Sequence, residues 1–274
     1  MYRGYFLNLE RNAQRRDALT RHLAERGAAE RYERWAAVDG RAEAGEHPTS
    51  LDPGNLGLWL SHERLLKSVA ADKHIHILED DAVLGSNPVG ILDELLGYMD
   101  VSLAGWDLLF TDIFVQPRTD IFVLFLQKMR EFAQKRTYGI LDLARIPFAC
   151  TSSVLINKAS IQKYLGILSG NWSQGLPIDL FLRSVVQKGQ LKAYVTMPFI
   201  TSISADSNNS DIRGGVDVSR RVCDVLRRGM FQEADMAALL EEMKQLTTGA
   251  KVAPLVSLYL NAEMFILSDQ FKKF

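Results

Sequence analysis

The chain has 274 residues, with 32 Lys and Arg against 33 Asp and Glu, five His, two Cys and 47% apolar residues. A formal net charge of −1 and a charged fraction of 24% exclude a basic nucleic-acid-binding surface and a disordered polyelectrolyte. A chain this long buries enough surface to fold without a disulfide or metal staple, and Cys150 and Cys223 match no zinc or redox spacing, so both read as reduced thiols.

Tyr5 to Leu9 has the length and composition of a short buried strand, with Asn8 near its end. Arg11 to Arg26 places Ala13, Leu19, Leu23 and Ala24 among charges, which predicts an amphipathic helix stopped by Gly27. Arg34 to Val38 reads as a second strand closed by an Asp39-Gly40 turn, and the stretch to Asn55, rich in Gly and Pro, as a loop. Leu56, Leu60, Leu65, Leu66 and Val69 then recur at helical spacing, and His74 to Leu78 forms a strand running into Glu79-Asp80-Asp81. Alternating strands and helices predict an α/β fold with a mostly parallel sheet flanked by helices.

Further on, Trp106 to Phe110, Thr151 to Ile156 and Leu191 to Met197 read as strands, and Ala159 to Leu168 as a helix. Ile121 to Lys135 fits a helix or a long hairpin. From Val216 the apolar spacing changes to that of helices, two over Val222 to Leu246 and a third over Pro254 to Leu267. The expected layout is a catalytic-size domain over 1–215 and a helical C-terminal region over 216–274. No apolar run approaches the roughly 20 residues of a spanning helix. The first residues lack the apolar stretch of about 7–15 residues found in a signal peptide, so a cytoplasmic location is expected.

Three successive carboxylates directly after an apolar strand are the sharpest chemical feature. They would stand at the carboxyl edge of the sheet, where α/β folds place their ligands. Their mutual repulsion is relieved either by solvent, as in an ordinary acidic turn, or by a divalent cation, for which hard oxygen donors select Mg²⁺ or Mn²⁺. Ser61 and His62 lie mid-helix, either packed or presented to a ligand beside that turn. Arg11 and Arg15, four apart, share a helix face that could hold phosphate oxygens or remain solvated.

The blocks Phe6-Leu-Asn-Leu-Glu-Arg11 with Arg15-Arg16, Ala36-Ala-Val-Asp-Gly40, Gly57-Leu-Trp-Leu-Ser-His62 and Ile77-Leu-Glu-Asp-Asp81 come in an order that resembles glycosyltransferase family 25. That family includes bacterial lipooligosaccharide galactosyltransferases and is similar to the collagen galactosyltransferases. Trp106 to Phe110 and Pro177-Ile-Asp179 resemble its later blocks, so the resemblance spans about residues 5 to 205, with gaps.

The resemblance implies a GT-A-like fold and an inverting transferase that moves galactose from UDP-galactose to a lipopolysaccharide or lipooligosaccharide acceptor. The alternatives are a UDP-glucose enzyme of the same acceptor class and a non-catalytic sugar-nucleotide-binding relative. It implies Asp81 and Asp80 at Mn²⁺ or Mg²⁺, and Glu79 and Asp80 near the ribose. Asn8, Arg11, Arg15, Ser61 and His62 would lie about the nucleotide sugar, and Asp179 would be the catalytic base or a helix cap. No histidine follows His76, so Asp206 or Asp211 would complete a metal shell that needs another protein ligand. Residues 112–147 fit no block. The tail arginines Arg220, Arg221, Arg227 and Arg228 suggest peripheral contact with anionic lipid, or else a packing or homodimer face.

Overall fold

The computed structural model describes residues 1–115, 119–204 and 218–249. Strand β1 (Tyr2–Asn8) leads to helix α1 (Ala13–Glu25), strand β2 (Tyr32–Ala36), a short α2 (Gly40–Glu43), α3 (Pro53–Ser68) and β3 (His74–Glu79). After the acidic turn come β4 (Ala82–Leu84), α4 (Pro88–Ser102), β5 (Leu108–Phe110), β6 (Phe114–Val115) and α5 (Thr119–Lys135). Strands β7 (Gly139–Asp142), β8 (Phe148–Ala149) and β9 (Ser153–Ile156) precede helices α6 (Ile161–Leu168) and α7 (Ile178–Gln187). The described chain closes with β10 (Ala193–Met197), β11 (Thr201–Ile203), α8 (Val218–Gly229) and α9 (Met236–Gly249).

The main sheet has seven strands in the order β2-β1-β3-β9-β5-β10-β7. Strands β9 and β7 run against the other five, so the sheet is mixed but mostly unidirectional. Side chains alternate between its faces. Ile75, Ile77, Leu108, Phe110, Val154 and Ile156 pack under α3, α6 and α7 through Trp59, Leu65, Tyr164 and Leu182. On the other face Leu78, Leu109 and Leu155 meet Leu19 and Leu23 of α1 and Leu92, Leu96 and Met99 of α4. Each such side chain taken fully from water contributes roughly 1.5–3 kcal/mol, which makes these two layers the main cohesive term. The result is the α/β architecture that the alternating pattern predicts.

Several local expectations change. Asp39 does not merely close a turn: its side chain accepts the Arg41 N–H and caps α2, inside the stretch read as loop. Helix α4 is an addition, started by Asn87, whose side chain accepts the Gly90 N–H, with Pro88 in the first turn. The segment Ile121 to Lys135 belongs to a helix, not a hairpin. The third tail helix expected over Pro254 to Leu267 lies outside the described residues. Both cysteines are free thiols, and no helix among the described residues is long and apolar enough to cross a membrane.

One buried polar chain crosses the α1/α4 face of the sheet. Tyr32 Oη lies 2.7 Å from His76 Nδ1, and His76 Nε2 lies 2.8 Å from Ser153 Oγ. Ser153 Oγ then meets Thr111 Oγ1, which is 2.7 Å from Thr201 Oγ1. Tyr32 reaches His76 across β1 because Gly4 stands between them in register. A Cβ at Gly4 would fall 2.3 Å from the Tyr32 ring.

Candidate functional site

Strands β1, β2 and β3 run parallel, so Asn8, Ala36 and Glu79 end at one edge of the sheet. The chain leaves β1 for β2 on one side and returns to β3 on the other, and α/β sheets bind ligands outside the strand ends at such a switch point. A cleft of about 390 Å³ opens there. Leu7, Leu9, Arg11 and Arg15 form one wall and Ala37, Val38, Asp39 and Gly40 a second. Gly57, Leu58 and Ser61 of α3 form a third, and Glu79, Asp80 and Asp81 stand at the strand end. The acidic turn also borders a second hollow of about 1040 Å³ beside α1, lined by Arg15, Arg21, His22, Val83 and Ser204.

Two glycines and a serine shape this cleft. Backbone meets backbone where the start of α2 crosses α3. A Cβ at Gly40 would lie 1.9 Å from the Pro53 carbonyl oxygen, and one at Gly57 would lie 2.5 Å from that of Val38. Ser61 Oγ donates to the Gly57 carbonyl at 2.6 Å and accepts the Val38 N–H at 2.8 Å. The Ser61 hydroxyl thus stitches α3 to the segment after β2 while its residue lines the cleft.

Within the acidic turn the three carboxylates face different partners. Asp80 Oδ1 accepts from Arg15 Nη1 at 2.9 Å and Oδ2 accepts from Asn8 Nδ2 at 2.7 Å. Burial raises the Asp80 pKa above the ordinary carboxylate value, against the pull of Asn8 and Arg15 toward the charged form. Glu79 Oε1 accepts from Thr151 Oγ1 at 3.4 Å, just before β9, and its N–H donates to the Ser152 carbonyl at 2.8 Å. The Asp81 carbonyl accepts the Ser204 N–H at 2.9 Å, which ties the turn to the end of β11.

The predicted residues separate into two groups. Arg11, Arg15, Ser61, Glu79, Asp80 and Asp81 all line the cleft, and Arg11 pairs with Asp39 across the two walls. Asn8 does not line it. This residue is buried with its amide on Asp80 and on the Asn12 carbonyl, while Arg34 donates to its Oδ1. His62 does not line the cleft either: it is fully buried, and neither ring nitrogen has a hydrogen-bond partner among the described residues. Burial lowers its pKa to about 4, so it is neutral at physiological pH.

Asp179 stands in the first turn of α7, outside the lining of either hollow. Its Oδ1 accepts the Leu180 N–H and its Oδ2 the Cys150 N–H, at 2.8 and 2.9 Å. Pro177, not Asp179, occupies the N-cap. The Cys150 tether joins Asp179, through Thr151, to the strand end beside Glu79. Asp206 and Asp211 lie outside the described residues.

Sequence reasoning missed a charged pair behind the turn. Asp112, just past β5, and Arg227 of α8 are both fully buried and ion-paired, and each hydrogen-bonds Ser152. Burial alone would lower the Arg227 pKa, but Asp112, with lesser pulls from Cys150 and Asp81, more than offsets it and keeps the guanidinium charged. Two signals were present: a carboxylate directly after an apolar strand, as at Glu79, and a cation on an otherwise apolar helix stripe. Arg228 pairs with Glu242 of α9, so two of the four tail arginines read as lipid-facing are engaged within the fold.

The donor set suits a hard divalent cation. Mg²⁺ and similar ions commonly take one or two protein carboxylates and complete their shell with water and substrate phosphate oxygens. Glu79, Asp80 and Asp81 bring such oxygens to the cleft, where those of Asp80 accept from Arg15 and Asn8 and Glu79 Oε1 accepts from Thr151. Among the described residues, the group with three ligand atoms already drawn together is Glu43, Glu46 and His47, where Glu43 is paired with Arg64.

No protein-family model and no curated protein matches the chain. Similar solved structures include mouse xyloside xylosyltransferase 1 in its apo form, 15% identical over 71% of each chain with a TM-score of 0.38. The galactosyltransferase LgtC with donor and acceptor sugar analogs is 10% identical over 70% of this chain and 73% of its own, with a TM-score of 0.37. An active-site mutant of LgtC is 10% identical over 93% of this chain and 98% of its own, with a TM-score of 0.41. Likeness at this distance assigns no role to any residue.

Proposed function

We propose that the chain is an inverting, metal-dependent glycosyltransferase that moves galactose from UDP-galactose to a lipopolysaccharide or lipooligosaccharide acceptor. One observation carries this reading. Four sequence blocks, separated by up to about seventy positions and resembling glycosyltransferase family 25, contribute the walls of a single cleft at the sheet's switch point.

The residues divide the work. Leu7, Ala37 and Val38 give an apolar slot for a flat base, and the Gly40–Gly57 crossing sets its depth. Arg11, partly exposed at the cleft wall, meets the diphosphate. Arg15 and Asn8 hold Asp80 so that the turn keeps its shape, and Glu79 and Asp81 of that turn bind Mn²⁺ or Mg²⁺. The cation, when bound, supplies Lewis-acid neutralisation of the departing diphosphate.

In the transfer itself the acceptor hydroxyl oxygen forms a bond to the anomeric carbon. The bond from that carbon to the β-phosphate oxygen breaks, and its electron pair leaves with UDP. In this reading the acceptor enters from the α7 side, where Asp179, outside the cleft lining, takes the hydroxyl proton, and attack opposite the leaving group inverts the configuration. A lipid-linked acceptor brings the enzyme to the inner face of the membrane as a peripheral partner. There Arg221, exposed on α8, would meet anionic headgroups.

The test is UDP release from a panel of UDP-hexoses with a truncated lipooligosaccharide and Mn²⁺, with the product linkage read by NMR. UDP-galactose turnover giving a β-linkage, abolished by chelator and by Asp81→Ala, is the expected result. Preference for UDP-glucose would overturn the donor assignment, and UDP binding without any transfer would favour the non-catalytic relative.

A further inference from the structure

We infer that Arg227, on a helix outside the cleft, is a positioning residue of the acidic turn and makes α8 part of the site. This rests on the glycosyltransferase reading and deepens it.

Arg227 Nε donates to Asp112 Oδ2 at 2.8 Å, and Nη2 reaches the same oxygen. Nη2 also donates to Ser152 Oγ at 2.6 Å, and Ser152 Oγ donates to Asp112 Oδ1 at 2.7 Å. The three side chains therefore close a ring. Ser152 leads directly into the site, because its carbonyl accepts the Glu79 N–H at 2.8 Å and its neighbour Thr151 reaches the Glu79 carboxylate. One residue separates the guanidinium from the first carboxylate of the turn.

Stability does not explain the arrangement. Taking both ions out of water costs several kcal/mol each, and well-packed apolar residues commonly hold a core as firmly as a buried ion pair. The position is what an apolar pair would not reproduce. Glu79, Asp80, Asp81 and Asp112 bring four carboxylates to one end of β3 and β5, where Arg15 pairs with Asp80 and Arg227 sets a second, fully buried cation on Asp112. Its planar fork fixes Ser152 while its charge steadies the turn, a pairing that lysine matches only in charge. Outer partners of this kind commonly change metal affinity 10–100-fold.

The test separates this role from simple neutralisation of Asp112. Arg227→Met alone leaves a buried carboxylate unpaired and should lower both the melting temperature and Mn²⁺-dependent UDP binding. Arg227→Met combined with Asp112→Leu removes both charges and should recover most of the melting temperature. That double variant should still bind UDP with Mn²⁺ about 10-fold or more weakly by calorimetry below its own melting point. Arg227→Lys should recover part of the lost affinity. A double variant that binds UDP and Mn²⁺ as the wild type does overturns the assignment and leaves the glycosyltransferase reading intact. A wild-type chain that fails to bind UDP with Mn²⁺ overturns both.

Discussion

Two buried polar assemblies occupy the same sheet and differ in kind. The mid-sheet chain from Tyr32 through His76 and Ser153 to Thr201 is neutral: burial lowers the His76 pKa to about 3 and raises that of Tyr32. The assembly at the carboxyl edge is charged, with Asp80 held by Arg15 and Asn8, and Asp112 by Arg227. Neutral hydrogen bonds between strands fix which residues face each other and need no further partner. Charges gathered at an open edge set a field, and a field has a use where a charged ligand can enter. The middle of the sheet should therefore answer to stability and the edge to ligand binding.

The largest departure is expected at the edge. Asp179→Asn should lower kcat by about 10²–10⁴-fold with a smaller loss of donor affinity, since the amide loses the base and one of the two acceptors for the Leu180 and Cys150 N–H groups. Equal losses in kcat and in donor binding would make Asp179 a tether for Cys150 and nothing more. Gly57→Ala should cost about 1–3 kcal/mol by overpacking, because the new methyl carbon would sit 2.5 Å from the Val38 carbonyl oxygen. UDP binding should fall with it as the cleft wall shifts, and an unchanged denaturant midpoint would contradict the crossing.

In the middle of the sheet, Ser153→Ala strips a partner from both His76 and Thr111 and should cost about 1–3 kcal/mol. Its binding of UDP with Mn²⁺ should match the wild type, and a large loss would dissolve the distinction between the two assemblies. The smallest effect concerns His62, whose pKa falls from 6.5 to about 4 on burial. The unfolded chain binds the extra proton, so this contribution to stability is complete above pH 6.5 and is lost as pH falls toward 4. The slope is about 1.4 kcal/mol per pH unit. His62→Leu should flatten that acid slope in urea titrations at pH 6.5 and 4.5, whereas an unchanged slope would mean that His62 is not buried neutral.

Much of this division could be read in the chain. The periodicity of Leu19 and Leu23, or of Leu60, Leu65 and Leu66, reports helix faces because each must cover one side of a sheet. The strand ending in Glu79-Asp80-Asp81 was legible because three successive carboxylates repel one another and mark the end of an apolar run. Direction was not: nothing within Ser153–Ile156 says that β9 runs antiparallel between β3 and β5. Helix α4 was hidden because its start rests on a single Asn87-Pro88 pair.

Within the site, the residue types were visible and their orientations were not. Asn8 and His62 carry groups suited to a ligand, and the fold turns one onto Asp80 and buries the other. Asp112 and Arg227 lie 115 positions apart, and only the packing of α8 against β6 and β11 joins them. The tail that a change in apolar spacing set apart after residue 215 therefore carries a charge next to the cleft.

The central claim is that Glu79 and Asp81 hold a cation that in turn holds a nucleoside diphosphate. The most direct measurement is the shift in melting temperature of the wild-type chain with UDP, with Mn²⁺ and with both, repeated on Asp81→Ala. The account predicts a clear rise only with UDP and Mn²⁺ together, absent in the variant. Equal stabilisation by UDP without metal, or an undiminished rise in Asp81→Ala, would contradict it.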